Sequence, residues 1–146
     1  MKPSPSSADP EQVTLRLPAR PESLEPLRDF IMDRAQAVSD DVRFLSRIDL
    51  IQEELLVNVV SYAYAGSDDG EVAVTCTGRA SESLTIDIVD QGRPFNPLTQ
   101  PGPDTEENIN ERPVGGLGIL LSRRMADHIK YVREDDSNRV SVTIRP

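Results

Sequence analysis

The sequence predicts an α+β fold, a two-layer sandwich with helices on one face of a mostly antiparallel sheet. Three patterns carry that expectation. Val72, Val74 and Cys76 alternate in "EVAVTCT", and Leu84, Ile86 and Ile88 alternate in "SLTIDIVD", with only "GRASE" between them. That is an antiparallel hairpin. A second hairpin closes the chain, "HIKYVRE" and "NRVSVTIRP" around "DDSN". Its Val140, Val142 and Ile144 face one way, and Arg139, Ser141, Thr143 and Arg145 the other. Upstream of both, the apolar period lengthens from two residues to three or four, as helices lying on such a sheet require.

The elements follow in order. Residues 1–10 have the composition of a flexible tail, and the folded domain is expected over 11–146. "VTLRLPA" alternates Val13, Leu15 and Leu17, a short strand. Pro21 stands where a first helical turn tolerates proline, and Leu24, Leu27, Ile31, Ala35 and Val38 recur at helical spacing. Ser39 or Asp40 is expected to cap a second helix, with Val42, Leu45, Ile48, Leu55 and Val59 among its apolar positions. That helix is expected to reach about Tyr64 and to stop at "AGSDDG". After the first hairpin the pattern collapses into "QGRPFNPLTQPGPDTEENINERPV", whose proline and glycine fit a lid at about 96–114. "GGLGILLSRRMAD" then opens a third helix, giving the order β-α-α-β-β-lid-α-β-β.

Composition narrows the function. At 146 residues the chain suits one domain. Sixteen basic against twenty-five acidic residues give a net charge of −9. With no basic face, nucleic-acid binding and anionic membranes are disfavoured, because phosphate neutralisation supplies most of that affinity. A nucleotide is still bindable through backbone N–H groups and a metal ion. The single cysteine, Cys76, fits a reducing cytoplasm and reads as a small buried hydrophobe. No apolar run is long enough to span a bilayer, and "MKPSPSSADP" lacks the apolar segment of a signal peptide, so the chain reads as soluble and cytoplasmic.

Three features stand apart from core-building. In "IQEELLVNVVSYAY", Glu54 and Asn58 lie four residues apart and share a helix face, while Glu53 points about 100° away. Either the pair sits idle at the edge of an amphipathic helix, or Asn58 offers a hard neutral oxygen to Mg²⁺ and Glu54 acts on a nucleophile. In "VDQGRPF", Asp90 ends a buried-looking strand and precedes Gly92 and Pro94. This is either an ordinary strand exit or an acceptor at a cavity floor, suited to the exocyclic amino group of adenine. Gly92 would then keep a side chain from blocking the base. "VGGLGI" fails as a dinucleotide fingerprint, since Leu121 stands where a third glycine belongs and no strand precedes it. Gly115, Gly116 and Gly118 nevertheless precede a helix start, either as a hinge or as a cradle for a phosphate.

The order of these features resembles the GHKL (histidine kinase-like) ATPase superfamily over roughly residues 11–146. Glu54-x-x-x-Asn58 comes first, then Asp90-x-Gly92-x-Pro94, a lid, and Gly115-Gly116-Leu117-Gly118. Within that superfamily it is most similar to the anti-sigma-factor serine/threonine kinases of bacterial partner-switching systems. The resemblance implies a Bergerat-type ATP-binding fold, with Asn58 as Mg²⁺ ligand, Asp90 as adenine acceptor and Gly92 beside the base. Gly115, Gly116, Leu117 and Gly118 would meet the phosphates, Glu54 would be the catalytic base, and Arg112 a γ-phosphate contact. One position departs: Tyr62 stands where the family often has histidine. The cofactors implied are ATP and Mg²⁺. The partners implied are a STAS-domain antagonist, a sigma factor or similar regulator, and a second copy of the chain. Two other activities share these motifs, a nucleotide-gated partner-binding module without useful turnover and the ATP-binding part of a split sensor kinase. His128, the only histidine, invites a phospho-acceptor reading, but no separate dimerisation helix accompanies it, and a structural role fits better.

Overall fold

A computed structural model describes residues 10–64, 70–94 and 125–146. The expected tail, the lid at about 96–114 and most of the third helix lie outside the described residues. Strand β1 (Glu11–Pro18) leads through a 3₁₀ turn (Pro21–Ser23) into helix α1 (Leu24–Val38). Helix α2 (Val42–Asn58) runs on into a π-helical turn (Val59–Ala63). Strands β2 (Glu71–Arg79) and β3 (Ser83–Asp90) form the first hairpin, and β4 (His128–Glu134) and β5 (Ser137–Ile144) the second. They build a five-stranded sheet in the order β1-β2-β3-β5-β4, antiparallel at every pairing.

Alternation decides which face is buried. Val72, Val74, Cys76, Leu84, Ile86, Ile88, Val140, Val142 and Ile144 all turn inward and are buried. Leu27, Ile31, Ala35 and Val38 of α1, with Phe44, Ile48, Ile51, Leu55 and Leu56 of α2, cover them. The opposite face is polar, with Thr14–Thr75 (2.7 Å), Gln12–Thr77 (3.1 Å) and Thr85–Thr143 (2.9 Å) hydrogen-bonded across strands. A sheet with one dry and one polar face is the normal outcome of antiparallel pairing. The α+β sandwich is therefore as the sequence reads.

Two local expectations are corrected. The cap of α2 is Asp41, not Ser39 or Asp40: its carboxylate accepts the Phe44 N–H at 2.9 Å. Starting there makes Val42 the first helical residue, where it is 75% exposed instead of in the core. Phe44, fully buried, takes the place expected of it. The helix does reach Ala63, beside the expected end at about Tyr64, but its last turn after Asn58 is wound as a π-helix. Both hairpins turn as composition suggests. Asp135 and Asp136 adopt φ of 52° and 62°, the two-residue geometry that matches strand twist.

Candidate functional site

Helical spacing and burial act together at the end of α2. Asn58 is 4% exposed, and its Nδ2 donates to the Glu54 backbone carbonyl at 2.9 Å and to Glu54 Oε2 at 3.0 Å. Glu53 is exposed on another face. The pair is thus a hydrogen-bonded unit and not two separate edge residues. With Nδ2 committed to Glu54, the amide's remaining acceptor is the carbonyl oxygen Oδ1. Partial burial holds the Glu54 carboxyl above the usual carboxylate range, opposed by the bond from Asn58.

Asp90 closes β3 and is 4% exposed. Gly92 N–H donates to its Oδ1 at 2.8 Å, and Asn138 Nδ2 donates to the same atom at 2.9 Å. Both bonds end on one oxygen, so Oδ2 retains its acceptor capacity. Burial pushes the Asp90 carboxyl up, while Asn138, Gly92 and the Arg133 guanidinium pull it back.

Gly92 is dictated by a backbone approach. A Cβ there would lie 2.0 Å from the carbonyl oxygen of Ala63. The π-turn brings that carbonyl to the strand exit, where it accepts the Arg93 N–H at 3.0 Å. Such turns occur often at functional sites, because they shift a helix end sideways without breaking it. Arg93 Nε adds a bond to Tyr62 O at 3.1 Å. Tyr64 closes the same corner, its hydroxyl donating to Glu71 O and accepting from Gln91 N–H, each at 2.7 Å.

These elements enclose one cavity lined by Leu55, Asn58, Val59, Ala63, Ile88, Asp90, Asn138 and Val140. Its volume is about 20 Å³, room for a water-sized group. The walls are apolar with three polar groups converging, Asn58, Asp90 and Asn138, the usual make-up of a small-molecule site. Chemically, Oδ2 of Asp90 suits an amino donor, Oδ1 of Asn58 suits a hard cation, and Glu54 suits proton abstraction.

Sequence reading therefore placed Glu54, Asn58, Asp90 and Gly92 in one region, and the structure joins them. Arg112, Gly115, Gly116, Leu117 and Gly118 lie outside the described residues. It missed Asn138, 2% exposed and paired across the sheet with Asp90. A signal was available: counting back by two from Val140 puts Asn138 on the core face, where an amide needs partners. Tyr131, which donates to Asn138 Oδ1, and Arg133, which donates to Gly92 O at 2.7 Å, were missed with it.

Comparison with known proteins bears on this arrangement. The family model of the histidine kinase-like ATPase domain matches residues 17–144. The serine-protein kinase RsbW of Listeria monocytogenes is 27% identical over 129 residues, covering 86% of this chain and 82% of that protein. RsbW of Listeria innocua is similar to the same extent. A solved structure of the RsbU and RsbW domains of Rv1364c from Mycobacterium tuberculosis superposes with a TM-score of 0.65 at 12% identity. That match covers 92% of this chain and 32% of the other, so the chain spans about a third of that structure. The histidine kinase domain of the Erythrobacter litoralis EL346 blue-light activated histidine kinase gives 0.53 at 19% identity, over 88% of this chain and 61% of that one. At such identities the two structures speak for the fold alone. With the two-layer fold in place and the family model spanning residues 17–144, the chain belongs to the histidine kinase-like ATPase domain family.

Proposed function

We propose that this chain is an ATP-dependent serine/threonine protein kinase acting as an anti-sigma factor. It phosphorylates a STAS-type antagonist domain and competes for a sigma factor or similar regulator. The observation that carries the reading is the single cavity shared by Asn58 and Asp90, with Glu54 hydrogen-bonded to Asn58. The likeness to the RsbW serine-protein kinases supports a hydroxyl acceptor on a protein.

In this reading Asp90 accepts the adenine amino group through Oδ2, and Gly92 lets the strand exit lie close beside the base. Gly115, Gly116, Leu117 and Gly118 give backbone N–H groups to the phosphates, and Arg112 meets the γ-phosphate. The donor set fits Mg²⁺, which takes few protein ligands and keeps water and phosphate oxygens: Asn58 Oδ1 is a hard oxygen beside the carboxylate of Glu54. Bound there, Mg²⁺ would supply charge neutralisation on the phosphates. Glu54 takes the proton of the acceptor hydroxyl as its oxygen bonds to the γ-phosphorus. The bond from that phosphorus to the β,γ-bridging oxygen breaks, and ADP leaves. Partial burial suits Glu54 to this, since a base is most effective with its pKa raised toward the working pH.

Incubation with γ-labelled ATP and a STAS-domain protein encoded beside this chain tests the proposal. Label should appear on a serine or threonine of the STAS protein. ATP binding without any transfer would leave a nucleotide-gated binding module and refute the kinase.

A further inference from the structure

Asn138 does more than fill a core position. Its register places it directly across from Asp90, and its amide is held from three sides. Nδ2 donates to Asp90 Oδ1 at 2.9 Å and to Arg93 O at 2.8 Å, while Tyr131 donates its hydroxyl proton to Oδ1. The reverse orientation would set the amide carbonyl against the carboxylate, so the amide has one setting. Gly92 N–H then occupies the same Asp90 oxygen at 2.8 Å. The carboxylate is pinned by one oxygen, and the other is left as a pure acceptor in the cavity wall.

We propose that Asn138, set by Tyr131, is a positioning residue that makes the cavity select 6-aminopurine nucleotides and reject 6-oxopurine ones. This rests on the reading of Asp90 as the purine acceptor. A 6-amino group donates to Oδ2, whereas a 6-oxo group presents lone pairs to lone pairs. Discrimination of this kind is large when the protein group cannot turn or gain a proton, since a buried unmatched pair is left behind. Asn138 supplies that fixity. Without it the carboxylate loses a bond at its pinned oxygen, turns more freely and takes up a proton more readily, and a protonated carboxyl can donate to a 6-oxo group.

The test is equilibrium binding of ATP and of inosine triphosphate, which differ at the purine 6-position, to the full chain by calorimetry. The ratio of the two affinities is the readout, because general loosening of the fold weakens both ligands alike. The wild-type chain should favour ATP by about a hundredfold or more. Asp90→Asn should collapse that ratio. Asn138→Ala should lower it by about tenfold, the worth of one hydrogen bond to a charged group, and Tyr131→Phe by a few fold. A ratio unchanged in Asn138→Ala while Asp90→Asn collapses it overturns the role of Asn138 and leaves that of Asp90. A wild-type ratio near one, unaltered by Asp90→Asn, overturns the purine reading beneath it. If Asn138→Ala does not fold, Asn138→Ser and Tyr131→Phe decide, and an unchanged ratio in both refutes the proposal.

Discussion

Replacing Gly92 by alanine isolates the contact that builds the site. The added Cβ would sit 2.0 Å from Ala63 O, 2.5 Å from Ala63 C and 2.8 Å from Ala63 Cβ. An ordinary contact is 3.4 Å or more, so the two segments must separate by over an ångström. Neither can yield cheaply. Ala63 O accepts the Arg93 N–H at 3.0 Å, Gly92 N–H is bound to Asp90, and Gly92 O accepts from Arg133. Losing one backbone hydrogen bond costs about 1 kcal/mol, and overpacking a rigid contact adds about 1–3 kcal/mol. Gly92→Ala should therefore lose about 2–4 kcal/mol in urea denaturation followed by circular dichroism, and bind ATP more weakly because Asp90 is displaced. Gly78→Ala is the control: its Cβ would meet only side-chain atoms, at 3.2 and 3.8 Å, and strand alanine regains about 0.5–1 kcal/mol of backbone entropy. It should stay within about 1 kcal/mol of wild type. A Gly92→Ala protein as stable as Gly78→Ala, with unchanged ATP affinity, would refute the close-approach reasoning.

Other outcomes follow from the same structure. Burial raises the folded pKa of Asp90 above its unfolded value, so its favourable contribution is full below the unfolded pKa and is lost as pH rises through the folded one. Asp90→Asn should accordingly gain stability relative to wild type as pH rises through that window, measured by paired urea titrations; a pH-independent difference would contradict it. Asp41→Ala removes the acceptor of the Phe44 N–H and should cost about 1 kcal/mol in the same assay. Cys76 is fully buried with its thiol pushed up to about 12, so a disulfide reagent should label it only after denaturation.

Much of the fold was legible because alternation and helical spacing report burial directly. Val72, Val74 and Cys76 could face the core in only one register, and so could Leu84, Ile86 and Ile88. What stayed hidden depended on contacts between distant segments. Nothing within residues 39–42 distinguishes three adjacent polar residues as caps; the choice of Asp41 follows from where Phe44 enters the core. The π-turn after Asn58 answers the strand exit at Gly92, thirty-odd residues away, and local propensity carries no trace of that demand. In the site, Glu54 and Asn58 were visible as polar residues sharing a helix face. The reason for Gly92 was half visible: the need for a position without a side chain could be read, but the Ala63 carbonyl could not. Asn138 was obscured by its place beside a turn, although its parity put it inside.

The most direct test of the account compares the wild-type chain with Glu54→Ala in a single-turnover assay of phosphoryl transfer from ATP to the STAS antagonist, with ATP affinity measured alongside. Glu54 contacts Asn58 through one side-chain bond and does not line the cavity between Asn58 and Asp90, so ATP binding should hold within a few fold. Transfer should fall by about 10²–10⁴-fold, the usual worth of a general base. Equal transfer rates in the two proteins would contradict the account.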